Sequence, residues 1–280
     1  MMESLMQKFC SFLILFLIIS CSTNSSKIKK RIHEETIQVH PGGVVQVFLP
    51  DFFEGKNIKC TNGKFPVSGE QEKFFIYAES YFSDMNKKEC NSEGVKVVVI
   101  VKEKIFPFEE LKVDRKRVNL NKKDLSRVLR EREVLRKTYS SQSPSSKLYS
   151  NFSLPLNSKI TSEYGKRRLF NKERKGQHLG IDFRAKVGKE IVAANDGTVV
   201  LASELFYTGN TVILYHGMGI FTTYGHLSKI KTSKGIVIKK GDIIGFAGMT
   251  GRVTGPHLHW GVKVNGQWVN GKDLLKLNFL

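Results

Sequence analysis

The stretch Thr254-Gly255-Pro256-His257-Leu258-His259-Trp260 decides how the rest of the chain is read. A Gly-Pro step suits an edge strand or a strand entered from a turn, because proline lacks the N–H that a sheet ladder needs. In a strand, residues i and i+2 point to the same face, so His257 and His259 project side by side. On a helix of about 3.6 residues per turn the same spacing splays them apart. The pair therefore belongs on a β scaffold. Histidine serves both as a metal ligand and as an acid–base group near neutral pH, and the pair alone does not choose between these uses.

A second polar pair lies upstream in His178-Leu179-Gly180-Ile181-Asp182. If Gly180 to Phe183 is extended, His178 and Asp182 share a face and can grip one ion. Adding one histidine of the downstream pair makes a His, Asp, His set. Three N/O ligands with an open fourth position are the pattern of catalytic zinc, which acidifies water and polarises a carbonyl. A histidine left over beside the metal would act as a base or a transition-state donor. His226, in Thr223-Tyr224-Gly225-His226-Leu227, follows a strand and is available for such a role. His216 sits at a hairpin turn and reads as structural. His33 and His40 have no partner at metal spacing and read as surface residues.

The surrounding sequence is mainly β. Residues 36–104 hold short β-branched runs such as Val95 to Val101, divided by Gly and Pro, and predict a small β-sandwich-like accessory domain without a cluster of chemical residues. Residues 105–147 form a connector. Asn121 is a helix N-cap, and Leu125, Val128, Leu129 and Leu135 recur at helical spacing among arginines, which predicts an amphipathic helix docked on one of the domains. Ser140 to Ser146 reads as a flexible linker. Residues 148–280 predict an antiparallel β domain, with strands near Ile191–Ala193, Gly197–Leu201, Thr211–Tyr215, Phe221–Tyr224, Ile236–Ile238 and Ile243–Phe246.

The N-terminus points to export. Lys8, the apolar run Phe9 to Ile19 and Ser20-Cys21 have the layout of a secretory signal over residues 1–20. Ile18-Ile19-Ser20-Cys21 resembles a bacterial lipobox, which makes Cys21 the expected lipidation site and residues 21–35 a tether from a membrane. Ser22 after the cysteine resembles an outer-membrane-directed lipoprotein. Of the remaining cysteines, Cys60 and Cys90 could form one disulfide in an oxidising compartment or stay as buried thiols. The formal net charge of +19 favours anionic surfaces such as acidic lipids or wall polymers. No zinc-finger or RRM signature accompanies it, which argues against nucleic acid.

The C-terminal residues resemble the M23 family of zinc metallopeptidases, the LytM- or lysostaphin-type cell-wall endopeptidases. The resemblance runs from about Leu156 to Asp273. It rests on Ile160-Thr161-Ser162-Glu163-Tyr164-Gly165-Lys166-Arg167, His178 to Phe183, Ala194 to Val199, Gly209 to Val212, Thr223 to Leu227 and Gly251 to Trp260, in the family's order. It implies that His178, Asp182 and His259 bind one Zn2+ per chain and that His226 and His257 are the free catalytic histidines. It implies an antiparallel sheet with the metal in a groove between loops. It also implies an enzyme that hydrolyses peptide cross-links of peptidoglycan in the periplasm, of D-alanyl-diaminopimelate type in a Gram-negative host. Many members carry an acidic residue where this chain has Gly261. The competing expectation is a wall-binding lipoprotein that cuts nothing and activates an amidase. An accessory domain lying across the groove would hold such an enzyme latent.

Overall fold

The computed structural model describes residues 32–69, 72–84, 86–140 and 150–279. The signal segment, Cys21 and the linker beyond Ser140 lie outside the described residues.

The accessory domain holds β1 (His33–Val39), β2 (Val44–Phe48), β3 (Asn57–Cys60), β4 (Gly63–Ser68), β5 (Phe74–Ala78), β6 (Lys88–Ser92) and β7 (Val95–Val101). The first strand begins at His33, ahead of the expected boundary at Thr36. The strands follow the order β1-β7-β6-β3-β4-β5-β2, with β1 and β7 parallel. Ile58, Phe65, Phe75, Tyr77, Val97 and Val99 are buried together. Cys60 and Cys90 stand opposite one another on β3 and β6 and are joined as a disulfide.

The connector contributes β8 (Phe108–Leu111) and α1 (Lys122–Ser140). Asn121 caps the helix: its Oδ1 accepts the Asp124 N–H at 2.8 Å, and its Nδ2 donates to Asp124 Oδ2 at 3.0 Å. The helix docks on the C-terminal domain, where Glu131 Oε2 accepts the Phe206 N–H at 2.7 Å and Tyr139 meets Phe221 and Trp268 edge-on at 5.2 and 5.7 Å. The apolar stripe is narrower than the leucine spacing suggests. Val128 is buried, whereas Leu125 and Leu129 are 47% and 51% exposed.

The C-terminal domain is built from β9 (Ile160–Ser162), β10 (Arg167–Phe170), β11 (Arg174–Gln177), β12 (Ile181–Arg184), β13 (Glu190–Val192) and β14 (Gly197–Leu205). It continues with β15 (Gly209–Gly217), β16 (Ile220–Ile230), β17 (Val237–Ile238), β18 (Ile243–Ala247), β19 (His257–Val264) and β20 (Gln267–Val269), then a short helix α2 (Gly271–Leu274). The main sheet runs β17-β14-β15-β16-β19-β12-β9. Its pairings are antiparallel. β14, β15, β16 and β18 run longer than expected, whereas β13 is shifted by one residue and β17 is shorter. Trp260 and Tyr224 anchor the core beneath it.

The two domains share one apolar core. Tyr81, Phe106 and Tyr164 cluster where they meet, with Tyr164 edge-on to the other two rings, and Tyr81 Oη donates to Gly165 O at 3.0 Å. His40 is more than a surface residue, because its Nε2 lies 3.2 Å from Asp273 Oδ2 across the join. The connector strand β8 pairs in parallel with β10, so it is stitched into the C-terminal domain rather than hung beside it.

Candidate metal centre and active site

β19 lies between β16 and β12, inside the sheet rather than at its edge. Pro256 precedes the strand, so its missing N–H removes no ladder bond. The register sets Asp182 of β12 directly opposite His259 of β19, and Arg184 opposite His257. Directly opposite residues in an antiparallel pair bring their side chains to one place. His178 precedes β12 and turns its ring into the same place.

The candidate ligand atoms converge. His178 Nε2 lies 2.9 Å from Asp182 Oδ1 and 3.1 Å from His259 Nδ1, and His259 Nδ1 lies 2.9 Å from Asp182 Oδ1. One atom from each residue falls within 4.8 Å of the others. The other nitrogen of His178, Nδ1, donates to Glu163 O at 2.9 Å. Its Nε2 therefore presents a lone pair toward a carboxylate oxygen, and two acceptors at this separation call for a cation. Burial reinforces this by lowering the His178 pKa to about 4 despite the neighbouring carboxylate. Burial opposes ionisation of Asp182 too, but the adjoining imidazoles of His178 and His259 outweigh that and hold it well below the usual carboxylate range. The donor set, two imidazole nitrogens and a carboxylate oxygen, fits a zinc ion.

Close packing holds the third candidate ligand, His259, in place. A Cβ on Gly180 would stand 2.4 Å from His259 Cε1, so only glycine lets that ring lie against the chain before β12. Gly261 has a similar cause. A Cβ there would stand 2.9 Å from Trp268 Cζ3, which leaves no room for an acidic side chain.

His226 reaches the groove by a backbone irregularity. The ladder between β15 and β16 skips from Tyr224 to Leu227, and His226 takes a left-handed φ of 62°. Such a bulge re-aims a side chain, at a cost of about 1–3 kcal/mol for a non-glycine residue. The His226 N–H donates to Thr208 O at 2.7 Å and its Nδ1 to Thr250 O at 2.8 Å. Burial, with the nearby His259 and His257, lowers its pKa to about 3, so it is neutral at working pH. The His226 and His257 rings lie 4.7 Å apart. His257 Nδ1 donates to Gly255 O at 2.8 Å, which leaves Nε2 facing the centre, 3.8 Å from Asp182 Oδ1. His216 stays away. Its Nδ1 donates to Asp196 O at 2.6 Å and its Nε2 meets Thr222 Oγ1 at 2.7 Å.

Two polar residues outside the sequence motifs, Arg168 and Glu109, complete the surroundings. Arg168 Nη2 donates to Asp182 Oδ2 at 3.0 Å and to Ser162 Oγ at 2.9 Å, while its Nε donates to Glu109 Oε1 at 2.7 Å. Arg168 stands one residue past the family-like segment that ends at Arg167. Glu109 comes from β8, and nothing local in the sequence links it to this site. A groove of about 530 Å³ runs past these residues. Its described lining comes from the C-terminal domain and the connector, including Leu135 and Tyr139 of α1, with none from the accessory sheet.

Comparison with known proteins agrees with this geometry. Residues 176–271 match the family model of peptidase family M23. A Vibrio cholerae protein named peptidoglycan DD-endopeptidase ShyA is 43% identical over 119 residues, 41% of this chain and 28% of that protein. A Neisseria meningitidis protein named DD-carboxypeptidase/endopeptidase Mpg is 43% identical over 93 residues, 33% of this chain and 21% of that protein. The chain thus spans less than a third of the length of these curated relatives. A crystal structure from Pseudomonas aeruginosa assigned to peptidase M23 superposes with a TM-score of 0.66 at 26% identity, covering 84% of this chain and 94% of that one. Residues 176–271 thus lie in an M23-like domain that makes up the C-terminal part of this chain.

Proposed function

We propose that the protein is a zinc-dependent endopeptidase of the cell envelope that hydrolyses peptide cross-links of peptidoglycan, of D-alanyl-diaminopimelate type. The observation that carries this reading is the convergence of His178, Asp182 and His259 beside two further histidines in one groove. The names of the Vibrio and Neisseria relatives support the substrate class. A lipid anchor at Cys21 and the net charge of +19 would keep the enzyme near an anionic wall.

A zinc ion held by His178, Asp182 and His259 would supply Lewis acidity and a water of lowered pKa. The remaining work falls to the chain. The free Nε2 atoms of His226 and His257 face the groove, because both Nδ1 atoms are bonded to backbone carbonyls. The Nε2 lone pair of one takes the proton from the attacking water and passes it to the leaving amine, while the other, in its doubly protonated form, donates from Nε2 to the carbonyl oxygen as charge develops. The sheet excludes water from beneath, which strengthens these contacts.

The test is to measure zinc content and to follow cleavage of purified cross-linked wall fragments by mass spectrometry, for wild type and His259→Ala. The expected result is one zinc per chain and cleavage at the cross-link, both lost in the variant. Wild type that holds no zinc and leaves the fragments intact would overturn the reading in favour of a non-catalytic wall-binding role.

A further inference from the structure

Arg252 lies in the loop before β19 and lines the groove. Its guanidinium lies over two rings, 4.2 Å from the centre of Phe170 and 4.5 Å from that of Tyr207. Its backbone N–H donates to Tyr207 O at 2.8 Å, which pins the loop. Two segments far apart in sequence therefore hold this one side chain: β10 and the turn between β14 and β15. Cation–π contact uses the charge and leaves the in-plane N–H donors of a guanidinium available for hydrogen bonds. Among the described residues, no acceptor bonds those edges.

The local charge balance is also unsettled. The groups charged at neutral pH that act on Arg252 are Arg174 and Arg168, both cationic. Arg168 already holds two carboxylates, those of Glu109 and Asp182. Among the described residues, Arg174 Nη1 reaches Val118 O alone, at 3.5 Å. Burial lowers the Arg252 pKa to about 10, so the group stays charged at neutral pH. A partly desolvated, pre-oriented guanidinium with free donors is a receptor for a planar anion, and the two-pronged fit is to a carboxylate.

We propose that Arg252 is a specificity residue that binds a carboxylate of the peptide substrate, on the segment flanking the scissile bond. This rests on the endopeptidase reading above and specifies its substrate as an acidic peptide. The carboxylate is either the α-carboxylate that ends a peptide stem or one carried on a side chain, and both offer the same two oxygens. Removing a two-pronged, charge-assisted pair of hydrogen bonds from the bound state weakens binding by about ten- to hundredfold.

The test uses the zinc-loaded mature chain and a synthetic cross-linked peptide in three forms: free acid, amidated at the chain end, and amidated at the side-chain carboxylate. Steady-state kcat and KM are measured for wild type, Arg252→Met and Arg252→Lys. The expected result is that wild type has a KM about ten- to hundredfold lower for the free acid than for one of the amides, which names the carboxylate recognised. Arg252→Met should raise KM for the free acid to the amide's value with little change in kcat, and Arg252→Lys should recover part of the preference. Wild type that treats all three forms alike overturns the proposal without needing any variant. So does an Arg252→Met variant that slows all three forms equally, because that is the signature of a purely structural role. If wild type cuts none of them, calorimetric binding decides. Preference for the acid form keeps the arginine site and removes the endopeptidase reading, whereas equal binding removes both.

Discussion

Arg168 Nη2 and Asp182 Oδ2 are 3.0 Å apart, so the oxygen of Asp182 that faces away from the histidines is held by a guanidinium. Glu109 holds that guanidinium in turn from the connector. The arrangement fixes which carboxylate oxygen is presented to a metal. It also places a positive charge beside the metal, which opposes binding. Orientation is the larger effect where outer partners of metal ligands have been removed, with losses of about 10–100-fold in affinity. We expect Arg168→Met and Glu109→Ala each to weaken zinc binding by about tenfold or more, measured by chelator competition. The double variant should be little worse than either alone, because both act through one chain of bonds. An unchanged zinc affinity with a lowered melting temperature would mean that Glu109 only anchors β8.

Gly180→Ala should displace His259, since the added Cβ would meet its Cε1 at 2.4 Å. A shift near 1 Å in a catalytic constellation costs about 10²-fold in rate. The variant should fold, lose zinc more readily and fall by that order in turnover. Retention of full activity would show that the ring has another stable position.

His226→Ala and His257→Ala should retain zinc and lose about 10²–10⁴-fold in kcat, the range for a general acid or base. His259→Ala should lose both zinc and activity. Metal analysis beside single-turnover kinetics separates the two classes.

Acid should destabilise the fold through His216, a group that plays no part in the groove. Burial holds its pKa at about 4 in the folded chain, against an ordinary value near 6.5. Between those values the unfolded chain binds the proton and the folded one does not, so stability falls as pH drops from about 6.5 to about 4 and levels out below. The full shift corresponds to about 3 kcal/mol. Urea unfolding at a series of pH values should show a shallower acid slope in His216→Asn, which cannot titrate. The variant also loses the bonds to Asp196 and Thr222, so its stability at pH 7 should be lower.

Opening the Cys60–Cys90 bridge, which spans a sequence separation of 30, should cost roughly 3 kcal/mol. Urea unfolding with and without reductant measures this. The bridge lies in the accessory sheet, so turnover of the folded protein should not change.

The legible part of this protein is the part with local periodicity. The two-residue spacing of His257 and His259, read with His178 and Asp182, places four site residues on or beside strands. The structure brings those four together with His226. What stays hidden depends on long-range pairing or on backbone detail. The bulge that turns His226 inward has no signature in Tyr224-Gly225-His226-Leu227 beyond the glycine, so the expected strand stops at Tyr224, whereas β16 runs on to Ile230. Glu109 meets Arg168 only because β8 pairs with β10, and parallel pairing across an intervening helix leaves no local pattern. The leucines of α1 show a helix but not its contacts, since Leu125 and Leu129 stay exposed while Tyr139 and Leu135 border the groove.

The pairing of β8 with β10 also sets where the protein can be cut and rejoined. A chimera that takes only the residues after the serine-rich segment would carry the histidines but leave behind Glu109 and the side of the groove formed by Leu135 and Tyr139. The transplantable catalytic module therefore begins just before Phe108, inside what looks from the sequence like a spacer.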